Sequence, residues 1–109
     1  MARISTHVLD IEQGRPAEGI PVELYYGGSL LGASQTNADG RTDAPLISAE
    51  RLETGCYELL FRAGDYLRKD RAVAFFGDIT IRFGVSDSAA NYHVPLLLAA
   101  HGYSTYRGS

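Results

Sequence analysis

Short runs of β-branched and aromatic residues recur along this chain, each closed by Gly, Asp, Asn or Pro, which is the pattern of antiparallel strands and their turns. Residues 4–9 form the first run. Side chains alternate along a strand, so Ile4, Thr6 and Val8 take one face and Ser5, His7 and Leu9 the other. After a turn at Gln13-Gly14-Arg15-Pro16, residues 20–26 form a second run, with Pro21 near its start, where a missing N–H is tolerated. Gly27-Gly28 predicts a tight hairpin into residues 30–35, because such turns require positive φ angles. Asn37-Ala38-Asp39-Gly40 is the next turn, and runs at 56–62, 78–85, 92–99 and 103–107 continue the series. In 78–85 the alternation is clean: Ile79, Ile81, Phe83 and Val85 oppose Thr80, Arg82 and Gly84.

Two segments break the pattern. Residues 48–53 are too short for a helix and read as loop, whereas 64–72 are polar, charged and non-alternating, with Asp65 placed to cap one short helix. Seven to eight strands at this spacing predict an all-β, two-sheet sandwich. No repeat, linker or low-complexity stretch divides the chain, so residues 1–109 read as a single domain.

Composition narrows the partners. The formal charge is −3 and the ten Lys and Arg are dispersed, which argues against nucleic acid and anionic membranes. The lone Cys56 has no partner for a disulfide within the chain and no metal-ligand spacing around it, so it is expected as a small buried strand residue and no metal site is expected. Without a leader-like start or an apolar run of roughly 18 residues, a soluble cytoplasmic protein is expected.

Three sets of residues exceed what a plain sandwich needs: His7 within a strand, Arg41 directly after a turn, and His93 together with the Tyr106 to Ser109 segment. Each has a bland alternative. A lone strand histidine is more often structural than catalytic, and Gly40-Arg41 can be a turn glycine followed by a solvated cation. The last segment alternates and carries aromatic residues almost to its end, so it is expected to be docked rather than frayed. His101 sits beside Gly102 in an expected turn and is read as exposed, without a role. Paired acid and base carboxylates, a phosphate-cradling glycine loop and a nucleophile elbow are all missing from the sequence.

The runs Ser5-Thr6-His7-Val8-Leu9-Asp10, Gly14-Arg15-Pro16-Ala17, Asp39-Gly40-Arg41, Tyr92-His93-Val94-Pro95-Leu96-Leu97-Leu98 and Tyr103-Ser104-Thr105-Tyr106-Arg107-Gly108-Ser109 together resemble the 5-hydroxyisourate hydrolases of the transthyretin-like family. The resemblance runs from end to end. Its most specific element is the terminal Tyr-Arg-Gly-Ser, which distinguishes those enzymes from the hormone carriers that share the fold. Departures fall at Asn91, Gly77 and Ala99-Ala100-His101, which are turn or strand-end positions. The resemblance implies the transthyretin-like, or prealbumin-like, sandwich with one short helix. It also implies a homotetramer whose sites lie at the dimer-dimer interface, a purine-derived substrate and no cofactor. His7, His93 and Ser109 are the implied catalytic residues, and Arg41, Tyr106, Arg107 and Gly108 the implied substrate-binding ones.

The implied reaction is hydrolysis of a cyclic amide in 5-hydroxyisourate to 2-oxo-4-hydroxy-4-carboxy-5-ureidoimidazoline during urate breakdown. Water needs a base at neutral pH, and imidazole suits that task. Either histidine can serve; the working assignment gives His7 the water-activating role, His93 the orienting role and Ser109 a proton relay. Arg41 offers a planar fork of donors to the oxyanion. The alternative is a non-catalytic transthyretin-like carrier of a small ligand, which calls for an apolar channel rather than convergent histidines.

Overall fold

The alternating runs pair into two sheets whose apolar faces meet. The computed structural model describes residues 1–69 and 71–109. In chain order it contains β1 (Ala2–Asp10), β2 (Arg15–Pro16), β3 (Pro21–Tyr26), β4 (Ser29–Gln35), β5 (Ile47–Ala49), β6 (Gly55–Phe61), α1 (Gly64–Arg68), β7 (Ile79–Val85), β8 (Tyr92–Ala99) and β9 (Gly102–Thr105). One sheet runs β2-β1-β8-β9, with β5 also on β1, and the other runs β4-β3-β6-β7. Ile4 and Val8 of β1, Leu96 and Leu98 of β8, Leu24 of β3, and Tyr57, Leu59 and Phe61 of β6 fill the space between them. The burial of β1 alternates along its whole length, so Ser5, His7 and Leu9 lie on the outer face, as their spacing predicts.

The β1–β8 pair is parallel, unlike every other pairing among the described strands. Its register sets Ser5 against His93 and His7 against Pro95. Positions at opposite ends of the sequence therefore share one surface.

The structure corrects five expectations. The segment 48–53 is expected as loop, yet Ile47–Ala49 form β5 and pair with Ala2 to Ile4. Since β2 covers only Leu9 and Asp10, the start of β1 would otherwise leave peptide groups without partners. The expected helix over 64–72 ends at Arg68, because Lys69 takes a φ of 52° that a helix cannot continue through; residue 70 lies outside the described residues. Asp65 does not cap it. The N-cap position is Ala63, the Gly64 N–H donates to Asp78 Oδ1 at 3.4 Å, and Asp65 instead pairs with Arg68 in the first turn. Cys56 lies in β6 as expected but is exposed, since Tyr57, Leu59 and Phe61 claim the inward face.

The fifth correction concerns the last strand, expected over 103–107. β9 stops at Thr105, where it pairs with Leu96, and the same register resumes at His93 and Gly108. Between them stands Pro95, which has no N–H to offer the residue opposite, Tyr106. Its carbonyl accepts the Thr105 hydroxyl at 2.7 Å instead. Tyr106 and Arg107 thus leave the ladder, and Gly108 rejoins it by donating its N–H to the His93 carbonyl at 2.7 Å.

Beyond β1 the chain is held by a buried carboxylate. Asp10 accepts the backbone N–H of Glu12 at 3.0 Å and of Gln13 at 2.9 Å, the Gln13 amide at 3.0 Å and the Tyr66 hydroxyl of α1 at 2.7 Å. Burial alone pushes this carboxyl up, but these donors and Lys69 bring it below its ordinary value of 3.8. Burial and the Asp10 carboxylate push the Tyr66 phenol up to about 12. The signs give a stability window. Asp10 contributes above its ordinary 3.8, and its share is lost as pH falls through the lower folded value. Tyr66 contributes below its ordinary 10.0, and its share is lost as pH rises toward about 12. Urea unfolding should show Tyr66→Phe less stable by about 1.5–3 kcal/mol at neutral pH, with the gap closing at alkaline pH. Equal midpoints at neutral pH, or a gap that widens in alkali, would contradict this account.

Candidate active site

The outer face of β1 and β8 carries a polar groove of about 460 Å³ lined by Arg3, Ser5, Arg41, Asn91, His93 and Ser109. Strand alternation supplies Arg3 and Ser5, and the parallel register adds His93 beside Ser5. Arg41 arrives by a different route. It forms an antiparallel bridge with His7, the Val8 N–H donates to the Gly40 carbonyl at 2.8 Å, and the Asp39-Gly40-Arg41 turn is thereby laid onto β1. Only glycine fits at position 40. Its φ is 75°, and a Cβ there would run into the Val8 carbonyl oxygen and come within 3.3 Å of the His7 ring.

The two histidines are held differently. His7 Nε2 lies 2.8 Å from the Asp39 carbonyl oxygen. A carbonyl only accepts, so Nε2 carries the proton and the neutral ring keeps its lone pair on Nδ1. His93 Nδ1 lies 2.9 Å from Ser5 Oγ, a hydroxyl that can either donate or accept. Burial lowers the pKa of His93 below 6.5, and the positive charge of Arg41 and the nearby His7 lower it further. At neutral pH it is an uncharged imidazole. Arg41 forms no ion pair among the described residues, so its guanidinium is available to electron-rich oxygens.

Of the residues singled out in the sequence, Arg41, His93 and Ser109 line one groove, and His7 adjoins it through its bridge to Arg41. Gly108 seats the His93 ring: a Cβ there would lie 2.7 Å from Cδ2. Tyr106 and Arg107 turn elsewhere. They line a neighbouring, mostly apolar hollow of about 270 Å³ with Ile81, Phe83, Tyr92 and Val94. The Arg107 guanidinium stacks 4.2 Å from the centre of the Tyr92 ring and donates to the Asn91 carbonyl at 3.1 Å. Sequence reasoning missed Arg3, Ser5 and Asn91 as groove residues. Alternation with His7 was a signal for the first two, but nothing in the local pattern marks Asn91. His101 is exposed and packs against Phe75, away from the groove residues.

The pattern of the HIUase/Transthyretin family matches residues 4–108. The chain is 48% identical to a 5-hydroxyisourate hydrolase 2 of Rhizobium meliloti, over 98% of this chain and 96% of that protein. It superimposes on a structure of Klebsiella pneumoniae 5-hydroxyisourate hydrolase with a TM-score of 0.87 and 40% identity, covering all of both chains. Transthyretin from Sparus aurata gives a TM-score of 0.84 at 19% identity over 99% of this chain and 97% of that one, a likeness of fold.

The electrostatics of the groove can be read by NMR titration of the imidazoles. His93 should titrate below 6.5, and Arg41→Gln should raise its midpoint part of the way back, leaving the share due to burial. A midpoint unmoved by that substitution would mean that Arg41 and His93 do not share one field.

Proposed function

The chain belongs to the HIUase/Transthyretin family, and on that premise we propose that it hydrolyses the cyclic amide of 5-hydroxyisourate in urate breakdown. The observation that carries this reading is the convergence of two histidines and an arginine without an ion pair among the described residues on one outer sheet face. In the proposed mechanism His7, with its Nδ1 lone pair free, takes a proton from water as the oxygen adds to the carbonyl carbon. His93, neutral and held by Ser5, orients the water, and Ser109 relays the proton toward the ring nitrogen that leaves when the C–N bond breaks. Arg41 grips the oxygen that becomes negative, since a guanidinium stays charged and presents two parallel donors.

Tyr106, Arg107 and Gly108 complete the substrate-binding side in this reading. Gly108 acts by seating His93, while Tyr106, 57% exposed, and Arg107 line the adjoining hollow and are assigned to substrate binding on the family resemblance alone. The openness of a groove lined by exposed Arg3, Arg41, Asn91 and Ser109 supports a site closed by other copies of the chain, in a homotetramer with sites at the dimer-dimer interface. A free, exposed Cys56 fits a reducing compartment, and we assign the protein to the cytoplasm. The chemistry uses side chains alone. A small-ligand carrier is the weaker reading, because the groove is polar and holds a neutral imidazole beside the Arg41 guanidinium.

Generating 5-hydroxyisourate in situ with a urate oxidase and following its ultraviolet decay tests the reaction directly. The protein should accelerate the decay, and His7→Asn and His93→Asn should each lower the rate by roughly two orders of magnitude, whereas His101→Asn should not. An unaccelerated decay would refute the enzyme; equal losses at all three histidines would refute the site. Arg41→Lys should be nearly as damaging as Arg41→Ala, because lysine keeps the charge and loses the fork; near wild-type rates for the lysine variant would remove Arg41 from oxyanion binding. Light scattering should give a tetramer, and a fully active monomer would overturn a site shared between copies.

A further inference from the structure

The turn that carries Asp39 and Arg41 is organised by one side chain, that of Asn37. Its Oδ1 accepts the backbone N–H of Asp39 at 2.9 Å and of Arg41 at 3.3 Å, and its Nδ2 donates to Asp43 Oδ1 at 2.9 Å. Its backbone adds two more bonds, Asn37 N–H to the Arg41 carbonyl at 2.7 Å and Gly40 N–H to its own carbonyl at 2.9 Å. Both outputs of the turn face the candidate site. The Asp39 carbonyl is the acceptor for His7 Nε2–H, and Arg41 is bridged to His7 and lines the groove. The orientation of that carbonyl decides which ring nitrogen of His7 carries the proton.

We infer that Asn37 is a positioning residue: by fixing the Asp39 carbonyl it holds His7 as the Nε2–H tautomer with Nδ1 free, and by fixing the Arg41 backbone it sets the approach of the guanidinium. The inference rests on the proposed catalytic roles of His7 and Arg41. The same bonds distinguish asparagine from aspartate at this position. An aspartate at 37 could accept the same two backbone N–H groups, yet it would set a second carboxylate against Asp43 where an amide now donates.

The test is a cycle that exchanges the amide and carboxylate of positions 37 and 43, with two readouts, steady-state kinetics and ¹⁵N NMR of the His7 ring nitrogens in the intact protein. Asn37→Ala and Asn37→Asp should lower kcat roughly tenfold to a hundredfold, the scale of an ångström-sized misplacement, with KM changing less. In both variants the His7 ring should pass from a single Nε2–H tautomer to a mixture. Asp43→Asn alone should be close to wild type, because the new amide can present its oxygen to Asn37 Nδ2. In the double variant, Asn37→Asp with Asp43→Asn, the amide turns to donate to the new carboxylate, and both kcat and the tautomer should recover. A ring signature unchanged in Asn37→Ala, or a double variant no better than Asn37→Asp, would overturn the inference. A tautomer that shifts and recovers in a protein without hydrolytic activity would instead overturn the functional reading and leave the positional role of Asn37 standing.

Discussion

Everything at the site depends on the parallel pairing of β1 with β8. A parallel pair cannot be closed by a tight turn, so its two strands come from distant parts of the chain, and here nearly the whole fold intervenes between them. Setting Ser5 opposite His93 puts an imidazole next to a hydroxyl, and it leaves His7 two residues along on the same outer face. A slip of one residue would turn every side chain of β1 over. The buried series Ala2, Ile4, Thr6, Val8 and Asp10 forbids that slip, because it would carry Ser5, His7 and Leu9 into the core and expose apolar positions. The core therefore fixes the chemistry on the opposite face.

Around this pair the remaining parts act as supports, each satisfying a local constraint. Gly40 admits the turn that bears Arg41 close to β1, and Asn37 ties that turn together. Pro95 interrupts the β8–β9 ladder, so that Gly108 returns onto His93 while Tyr106 and Arg107 swing out toward the apolar hollow. Asp10 anchors the far end of β1 to the following turn and to α1. The result is a polar face with a neutral imidazole beside a guanidinium that has no ion pair among the described residues, a combination that serves hydrolysis of a carbonyl better than storage of an apolar ligand.

Much of this was legible beforehand where a residue's role is set by its neighbours in sequence. Alternation in β1 and β7 assigned the inward and outward positions, and Gly27-Gly28 adopts the positive φ angles that the hairpin demands. What was illegible depends on partners distant in sequence. Residues 47–49 form a strand because β1 has an open edge; Asp65 yields the helix start to Asp78; Cys56 is exposed because three bulky neighbours take the inward positions. The early end of β9 was in principle visible in Pro95, but only once β8 and β9 were known to be partners. The family resemblance brought His7, Arg41, His93 and Ser109 to notice together; Arg3 and Ser5 share the alternation of His7, whereas Asn91 emerged only from the groove it lines.

The central claim is that the polar face of the β1–β8 pair, and not the apolar hollow beside it, receives a purine-like substrate. A crystal structure with a non-hydrolysable bicyclic purine analogue tests it most directly. The account predicts the ligand against His93 and Arg41, with an oxygen within hydrogen-bond distance of the guanidinium and an ordered water beside His7 Nδ1. A ligand lodged instead among Ile81, Phe83 and Val94, leaving both histidines untouched, would contradict it.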